Sequence, residues 1–261
     1  MAGRGARAAP PAAARGRSQH FLRSRRLAAD LVRGAAIARD ELVLEIGAGT
    51  GRLTKELAAA AGRVLAVEID PSLAGALGRQ LDCSNVTLVV GDAVTMALPD
   101  EPFRVVANLP FHATTAILRR LLDDPSLPLA AADLIVEWGF ACKHVRVSPS
   151  TRLGVTWGAW HTFAIERRLP ASCFSPPPTV DAALLSIRRR PRPLVRARDA
   201  EPWRRFVADG FARSRLRDGV RGYVSDRELR RLADVYGFGR TAAPRDLDVH
   251  QWAAVFTASR P

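Results

Sequence analysis

Five short aliphatic runs recur through the first 138 residues: LVLEI (42–46), VLAVEI (64–69), VTLVV (86–90), RVVA (104–107) and DLIVEW (133–138). Segments with helical spacing separate them. Runs that are apolar throughout, rather than at alternate residues, suit strands buried on both faces, and parallel strands need crossovers of the length found between them. The chain is therefore predicted to be α/β, with a parallel sheet covered by helices. Between the fourth and fifth runs, Ile117, Leu118, Leu121 and Leu122 recur at helical spacing while Arg119 and Arg120 face elsewhere. Two more strand candidates, around 160–166 and 182–187, are joined by CFSPPPTVD, whose three prolines cannot donate to a ladder and make a stiff loop.

From about residue 190 the strand signal stops. Segments around 201–213, 225–235 and 248–258 read as helices, with Ser225 and Glu228 as a capping-box pair and Gly237 and Gly239 as stop signals. The expected organisation is a basic leader over 1–17, a ligand-binding α/β domain over 18–189 and a small all-helical domain over 190–261. There is no internal repeat.

The charge follows the same division. The 261 residues carry 39 Lys plus Arg and 26 Asp plus Glu, a formal charge of +13. Residues 1–29 contribute +7, residues 30–185 contribute −3 and residues 186–261 contribute +9. A near-neutral core with basic extensions suits a polyanionic partner, and the competing reading is simply a basic, soluble surface. The leader MAGRGARAAPPAAARGR has nothing large to bury and is expected to be disordered. An organelle transit peptide is the other reading of an Arg-rich, acid-free leader, but Pro10 and Pro11 interrupt any amphipathic helix there.

Cys83, Cys142 and Cys173 form no C-x-x-C pair, and His20, His112, His144, His161 and His250 have no metal-ligand spacing. Neither a disulfide framework nor a metal is expected. No apolar run is long enough to cross a bilayer and no hydrophobic signal region opens the chain, so the expected location is cytoplasmic.

EIGAGTG, Glu45 to Gly51, follows the first strand and leads into a helix predicted from Leu53 to Ala61. Glycines there let the backbone turn sharply and bring its amides close to a ligand. The spacing is G-x-G-x-G, not the G-x-G-x-x-G of dinucleotide binders, which argues against a nicotinamide dehydrogenase. Glu68 ends the second strand 21 residues after Gly47, where an acid can accept from both hydroxyls of a ribose. Asp92 ends the third strand at the same edge and could take an adenine amino group. No Walker lysine follows the loop, so a nucleoside without a phosphate requirement is the simplest ligand.

NLPF, Asn108 to Phe111, follows the fourth run and falls on that edge too. An exocyclic adenine amine is a poor nucleophile because its lone pair is delocalised into the ring. Acceptors for its two hydrogens draw the nitrogen towards a tetrahedral form and free the lone pair. Asn108 offers a side-chain carbonyl, and Leu109 a main-chain carbonyl in a turn that Pro110 stiffens without adding a competing N–H. Phe111 can stack on an extruded base. The competing reading of the tetrapeptide is a turn followed by a core phenylalanine.

With these residues in place, the chain resembles the S-adenosylmethionine-dependent ribosomal RNA adenine-N6 methyltransferases, and most closely the Erm type that confers macrolide–lincosamide–streptogramin B resistance. The resemblance runs from SQHFL (18–22) through EIGAGTG, VEID, GDAV, NLPF and FSPPPTVD into the helical tail. It implies a Rossmann-like class I methyltransferase domain with a small C-terminal all-helical, RNA-binding domain. S-adenosylmethionine is the implied cofactor, with His20, Leu22, Gly47, Gly49, Glu68, Asp92 and Asn108 around it. The implied catalytic group is Asn108, Leu109, Pro110 and Phe111, with Phe174 as a second face for the target base. The implied partner is one adenine of 23S rRNA, and the expected state is a monomer. Two departures stand out: His20 occupies a position where relatives often have Asn, and Glu137 and Cys142 replace an expected Gln and Arg. The alternatives are a housekeeping 16S rRNA adenine dimethyltransferase with the same chemistry and a non-catalytic RNA-binding assembly factor on the same fold.

Overall fold

The computed structural model describes residues 19–148 and 150–259; the leader over 1–17 and Ser18 lie outside the described residues. In chain order the elements of the first part are β1 (Phe21–Leu22), α1 (Arg25–Gly34), β2 (Leu42–Ile46), α2 (Arg52–Ala60), β3 (Arg63–Glu68), α3 (Pro71–Gly78), β4 (Val86–Val90) and β5 (Phe103–Asn108). There follow α4 (Thr114–Leu122), β6 (Leu129–Glu137), α5 (Trp138–Val145), α6 (Arg152–Gly158), β7 (His161–Leu169), β8 (Phe174–Ser175) and β9 (Ala182–Arg189). The last four helices are α7 (Ala200–Phe211), α8 (Leu216–Val220), α9 (Asp226–Tyr236) and α10 (Val249–Ala258).

Seven strands form one sheet in the order β4-β3-β2-β5-β6-β9-β7. The first five are parallel, as the apolar runs predict, but β9 pairs antiparallel with both β6 and β7. The expectation of a purely parallel sheet is corrected on this side. The connection from β7 to β9 contains only a 3₁₀ turn, two extended residues and the proline run, so no crossover helix fits and the strands return antiparallel. The stiff loop also contains structure that its prolines did not suggest: Phe174 and Ser175 pair with Leu22 and Phe21 as a small two-stranded sheet.

Central strands alternate their side chains between two cores. Leu42, Leu44 and Ile46 of β2 meet Ile117, Leu118 and Leu121 of α4, while Val43 faces the opposite side with Leu31 of α1 and Leu57 of α2. This double burial is the physical origin of the continuous apolar runs. Strands β2 to β5 run parallel, so their carboxyl ends share one edge. The chain order reverses between β2 and β5, and the crevice outside such a switch point is where doubly wound sheets take ligands.

The tail has a third core, built around Trp203, Phe206, Trp252 and Phe256, and it includes Val155, Ala159 and Trp160 from α6 and the residues just after it. Indole N–H groups tie the two parts together: Trp203 donates to the Thr156 carbonyl at 3.0 Å, and Trp160 donates to the Val195 carbonyl at 2.7 Å. The tail is thus locked onto the sheet rather than hung from it. Helix α8 escapes sequence reading because it is five residues long and contains Gly219, yet that glycine lets α8 touch α7: a methyl group there would stand 2.6 Å from the Gly210 Cα. The capping box at α9 is half formed. The Ser225 hydroxyl accepts from the Glu228 N–H at 3.2 Å, but the Glu228 carboxylate turns to Arg231 at 2.6 Å.

Candidate functional site

The glycine turn is built by the backbone. Gly47, Gly49 and Gly51 have φ of 79°, 53° and 76°, in the left-handed region where a β-carbon is penalised. The Gly47 and Ala48 amides donate to the Val67 carbonyl at 2.8 and 3.1 Å, which fastens the turn to β3. At the end of β3 the Glu68 carboxylate is 4% exposed; Oε2 accepts from the Gly49 N–H at 2.8 Å and Oε1 from the Asp70 N–H at 2.9 Å. Each oxygen keeps a further lone pair. Glu68 therefore shapes the loop and remains an acceptor.

Asp92, just past β4, is exposed at the lip, with Oδ1 accepting from the Val94 N–H at 2.9 Å. At the end of β5, Asn108 donates through Nδ2 to the His20 main-chain carbonyl at 2.7 Å. A main-chain carbonyl can only accept, so this contact fixes which way the amide faces and leaves Oδ1 with no donor among the described residues. Leu109 is held by its N–H on the Ile135 carbonyl at 3.0 Å, and Pro110 starts the 3₁₀ turn of residues 111–113. His20 donates through Nδ1 to the Pro176 carbonyl at 2.9 Å, and its ring lies 5.9 Å from that of Phe111. The His20 departure is thereby accommodated: its contribution to the Asn108 contact is its backbone, which any side chain would supply.

These residues line one cavity of about 720 Å³, within the range of small-molecule sites. His20, Gly47, Gly49, Glu68, Asp92, Asn108, Leu109, Pro110 and Phe111 all contribute to its wall. Leu22 does not: it is 5% exposed and packs into the core beside Phe174. Phe174 is 0% exposed in that same core and presents no face to the cavity, so its expected stacking role is corrected. Glu137 and Cys142 also lie outside the wall, Glu137 at the junction of β6 and α5 and Cys142 on α5 itself. Sequence reading missed Phe21, Ile46, Ile69, Val94, His112 and Ile117, which are also part of the wall. Phe21 had a signal, since it belongs to SQHFL and its ring covers Gly49, where an added methyl would stand 2.7 Å away.

The polar lining is mostly acceptors. Two carboxylates, an amide oxygen and main-chain carbonyls suit hydroxyls, amines and a cation, and aliphatic walls suit a flat ring. One buried acid lies behind the site. Glu45 is 1% exposed in β2, Oε2 has no partner among the described residues, and burial pushes its carboxyl up to about 8, with the Glu68 charge adding to the shift. Among the described residues no cluster of three or more His, Cys, Asp or Glu could hold a metal, and no helix is long and apolar enough to cross a membrane.

Comparison with known proteins agrees with this geometry. A family profile described as "Ribosomal RNA adenine dimethylase" matches residues 14–219. The mycinamicin-resistance protein MyrB of Micromonospora griseorubida is 32% identical over 248 residues, covering 93% of this chain and 78% of that protein. Ribosomal RNA small subunit methyltransferase A of a Synechococcus strain is also 32% identical, over 251 residues, covering 91% of this chain and 89% of that protein. Among solved structures, the 23S rRNA methyltransferase ErmE superposes with a TM-score of 0.81 at 29% identity, covering 91% of this chain and 98% of that one.

Proposed function

Because the chain belongs to the ribosomal RNA adenine dimethylase family and has the class I methyltransferase fold, we propose that it uses S-adenosylmethionine to methylate N6 of one adenine in 23S rRNA, once or twice, and so confers macrolide–lincosamide–streptogramin B resistance. The observation that carries the chemistry is the Asn108 amide. With Nδ2 committed to the His20 carbonyl, Oδ1 is the atom left to accept from an incoming amino group. The Leu109 carbonyl takes the second hydrogen, Pro110 keeps the turn rigid, and Phe111 stacks on the base.

The cavity fits the cofactor by its donor set and size. Glu68 would accept from the ribose hydroxyls, Asp92 from the adenine amino group, and the turn at Gly47 and Gly49 would lie along the methionine end. The acids suit a ligand that bears a positive sulfur. When bound, S-adenosylmethionine supplies a methyl group already activated for attack, so the protein needs neither a metal nor a strong base. Orientation is what remains for the protein to provide, and rigid strand ends provide it. The Arg-rich tail, +9 over residues 186–261, would hold RNA through its phosphates.

Likeness to a mycinamicin-resistance protein and to a 23S rRNA methyltransferase supports the large-subunit substrate. Equal identity to a small-subunit methyltransferase favours the 16S rRNA as the second reading. Primer extension on rRNA from cells that express the chain distinguishes them. A reverse-transcriptase stop at one adenine of 23S rRNA, with macrolide resistance, is expected; stops in 16S rRNA alone overturn the proposal in favour of the housekeeping activity. Loss of methyl transfer in Asn108→Ala with RNA binding retained excludes the non-catalytic assembly factor.

A further inference from the structure

A second cavity, of about 190 Å³, opens in the helical tail between α8, α9 and residues 238–242, and it shares no residue with the first. Buried Leu216 and Leu229 with Phe238 give it an apolar floor, and the exposed residues Arg217, Arg230 and Arg240 also line it. This volume is below the roughly 300 Å³ at which sites for drug-sized ligands begin, so it suits a single ring system. Three cations and one carboxylate, Asp226, line it. Arg217 pairs with Asp226 at 3.1 Å and Arg240 with Asp234 at 3.0 Å, while Arg230 donates through Nε to the Asp226 main-chain carbonyl and meets no carboxylate among the described residues.

Both ion pairs are open to water, with side-chain exposures of 53% and 41% in one and 62% and 60% in the other. Pairs this exposed are weakly held, and a phosphate can compete for the same guanidinium groups through bidentate hydrogen bonds. A further aromatic stands nearby in the chain: Tyr236, two residues before Phe238, is 47% exposed. Within the cavity wall itself the aromatic ring is that of Phe238, and arginines beside such a ring over an apolar slot are what a splayed, unpaired nucleotide requires.

We propose that this cavity binds one unpaired nucleotide of the RNA substrate, with its base on the Leu216–Leu229–Phe238 floor and its phosphate on Arg217 and Arg240. The inference rests on the RNA methyltransferase reading and adds to it a discrete contact. The tail then takes up a flipped-out nucleotide away from the target adenine, and so contributes to choosing where on the RNA the enzyme settles rather than only neutralising phosphates.

The test uses the full chain, S-adenosylmethionine and transcripts of 23S and 16S rRNA. Arg217→Ala with Arg240→Ala removes the phosphate clamp at exposed positions, and Thr241→Trp blocks the mouth without changing charge. Each is expected to raise KM for the transcript by roughly tenfold, the loss of about one stacked base, with kcat unchanged and thermal unfolding unmoved. The arginine pair should also flatten the salt dependence, whereas Thr241→Trp should not. Crosslinks from a 4-thiouridine-substituted transcript should map to the peptide containing Tyr236 and Phe238. Unchanged KM in both variants overturns the proposal while leaving the methyltransferase reading intact. A rise with the arginine pair alone also overturns it, because phosphate contact would then need no base pocket. An unmodified chain inactive on both transcripts overturns both readings.

Discussion

The two cavities are built by opposite means. At the sheet edge the contacts come from backbone and short side chains at strand ends: left-handed glycines, an Asn, two acids and a Pro-stiffened turn. In the tail they come from long arginines, two of them held in exposed ion pairs, around an apolar floor. The first presents acceptors fixed in place and suits hydroxyls, amines and a cation. The second presents donors on long, exposed side chains and suits phosphate. On the proposed function, rigid acceptors would serve chemistry, where small misplacement is costly, and long donors would serve a polymer whose backbone varies.

The largest effect that would test this division is at the sheet edge. Asn108→Ala removes the side-chain acceptor that the proposed mechanism directs at the target amine, and loss of such a preorganised group costs on the order of 100- to 1,000-fold in kcat. RNA affinity should stay within about twofold, since the tail is untouched. A kcat within tenfold of the unmodified enzyme would show that Asn108 merely closes a turn onto His20.

Replacing glycine by alanine on the two sides sharpens the contrast. Gly49→Ala places a methyl in a left-handed residue, 2.7 Å from the Phe21 ring, inside the cavity wall. It should lower stability by about 1–2 kcal/mol through αL strain and, because the Phe21 ring must shift within the wall, weaken S-adenosylmethionine binding in calorimetric titration. Gly219→Ala sets a methyl 2.7 Å from the Asp209 main-chain oxygen, where α8 meets α7. It should destabilise the fold by about 1–3 kcal/mol in denaturant titration, with cofactor affinity unchanged. Interchanged phenotypes would contradict the division.

Glu45 supplies a smaller effect that is specific to the sheet. Its carboxyl is pushed up to about 8 in the folded chain, against an ordinary value of 4.5. Between those values the unfolded chain has lost a proton that the native state keeps. Stability therefore falls as pH rises through that window, by up to about 1.4 kcal/mol per pH unit from this group. His144 and His161 act in the other direction: burial lowers both to about 4, so below pH 6.5 the unfolded chain takes up protons that the native state does not, and stability falls as pH falls. These groups together place a stability maximum near pH 6.5. Glu45→Gln should remove the decline towards pH 8 and leave the acid limb in place, as read by thermal unfolding across pH.

How much of this was legible beforehand follows from the range of the interactions. The five parallel strands, EIGAGTG, Glu68, Asp92 and NLPF could be placed because continuous burial and a shared sheet edge are written in local pattern. Leu22 and Phe174 could not, because a two-residue pairing across more than 150 positions leaves no periodic trace, and that pairing turns Leu22 into the core and buries Phe174. The antiparallel return of β9 was hidden for a related reason: a buried antiparallel strand reads like a parallel one. Phe21, Ile69 and Ile117 look like ordinary core residues until the cavity gathers them. Helix α8 was too short to show a period, and its role depends on contact with Gly210.

The smallest effect separates charge from site. Arg213 and Arg215 lie in the exposed turn between α7 and α8 and line neither cavity. If the tail holds RNA through phosphates, each Arg→Ala change there should reduce the slope of log affinity against log salt by a little under one and weaken binding uniformly across RNA sequences. Arg119 on α4 provides the comparison, because it belongs to the sheet side and is already paired with Asp123 at 3.7 Å. Arg119→Ala should leave the slope unchanged. Filter binding from low to moderate salt reads both, and an equal change in slope for Arg119 and Arg215 would mean that RNA wraps the whole molecule, removing the distinction between a catalytic face and a phosphate-holding tail.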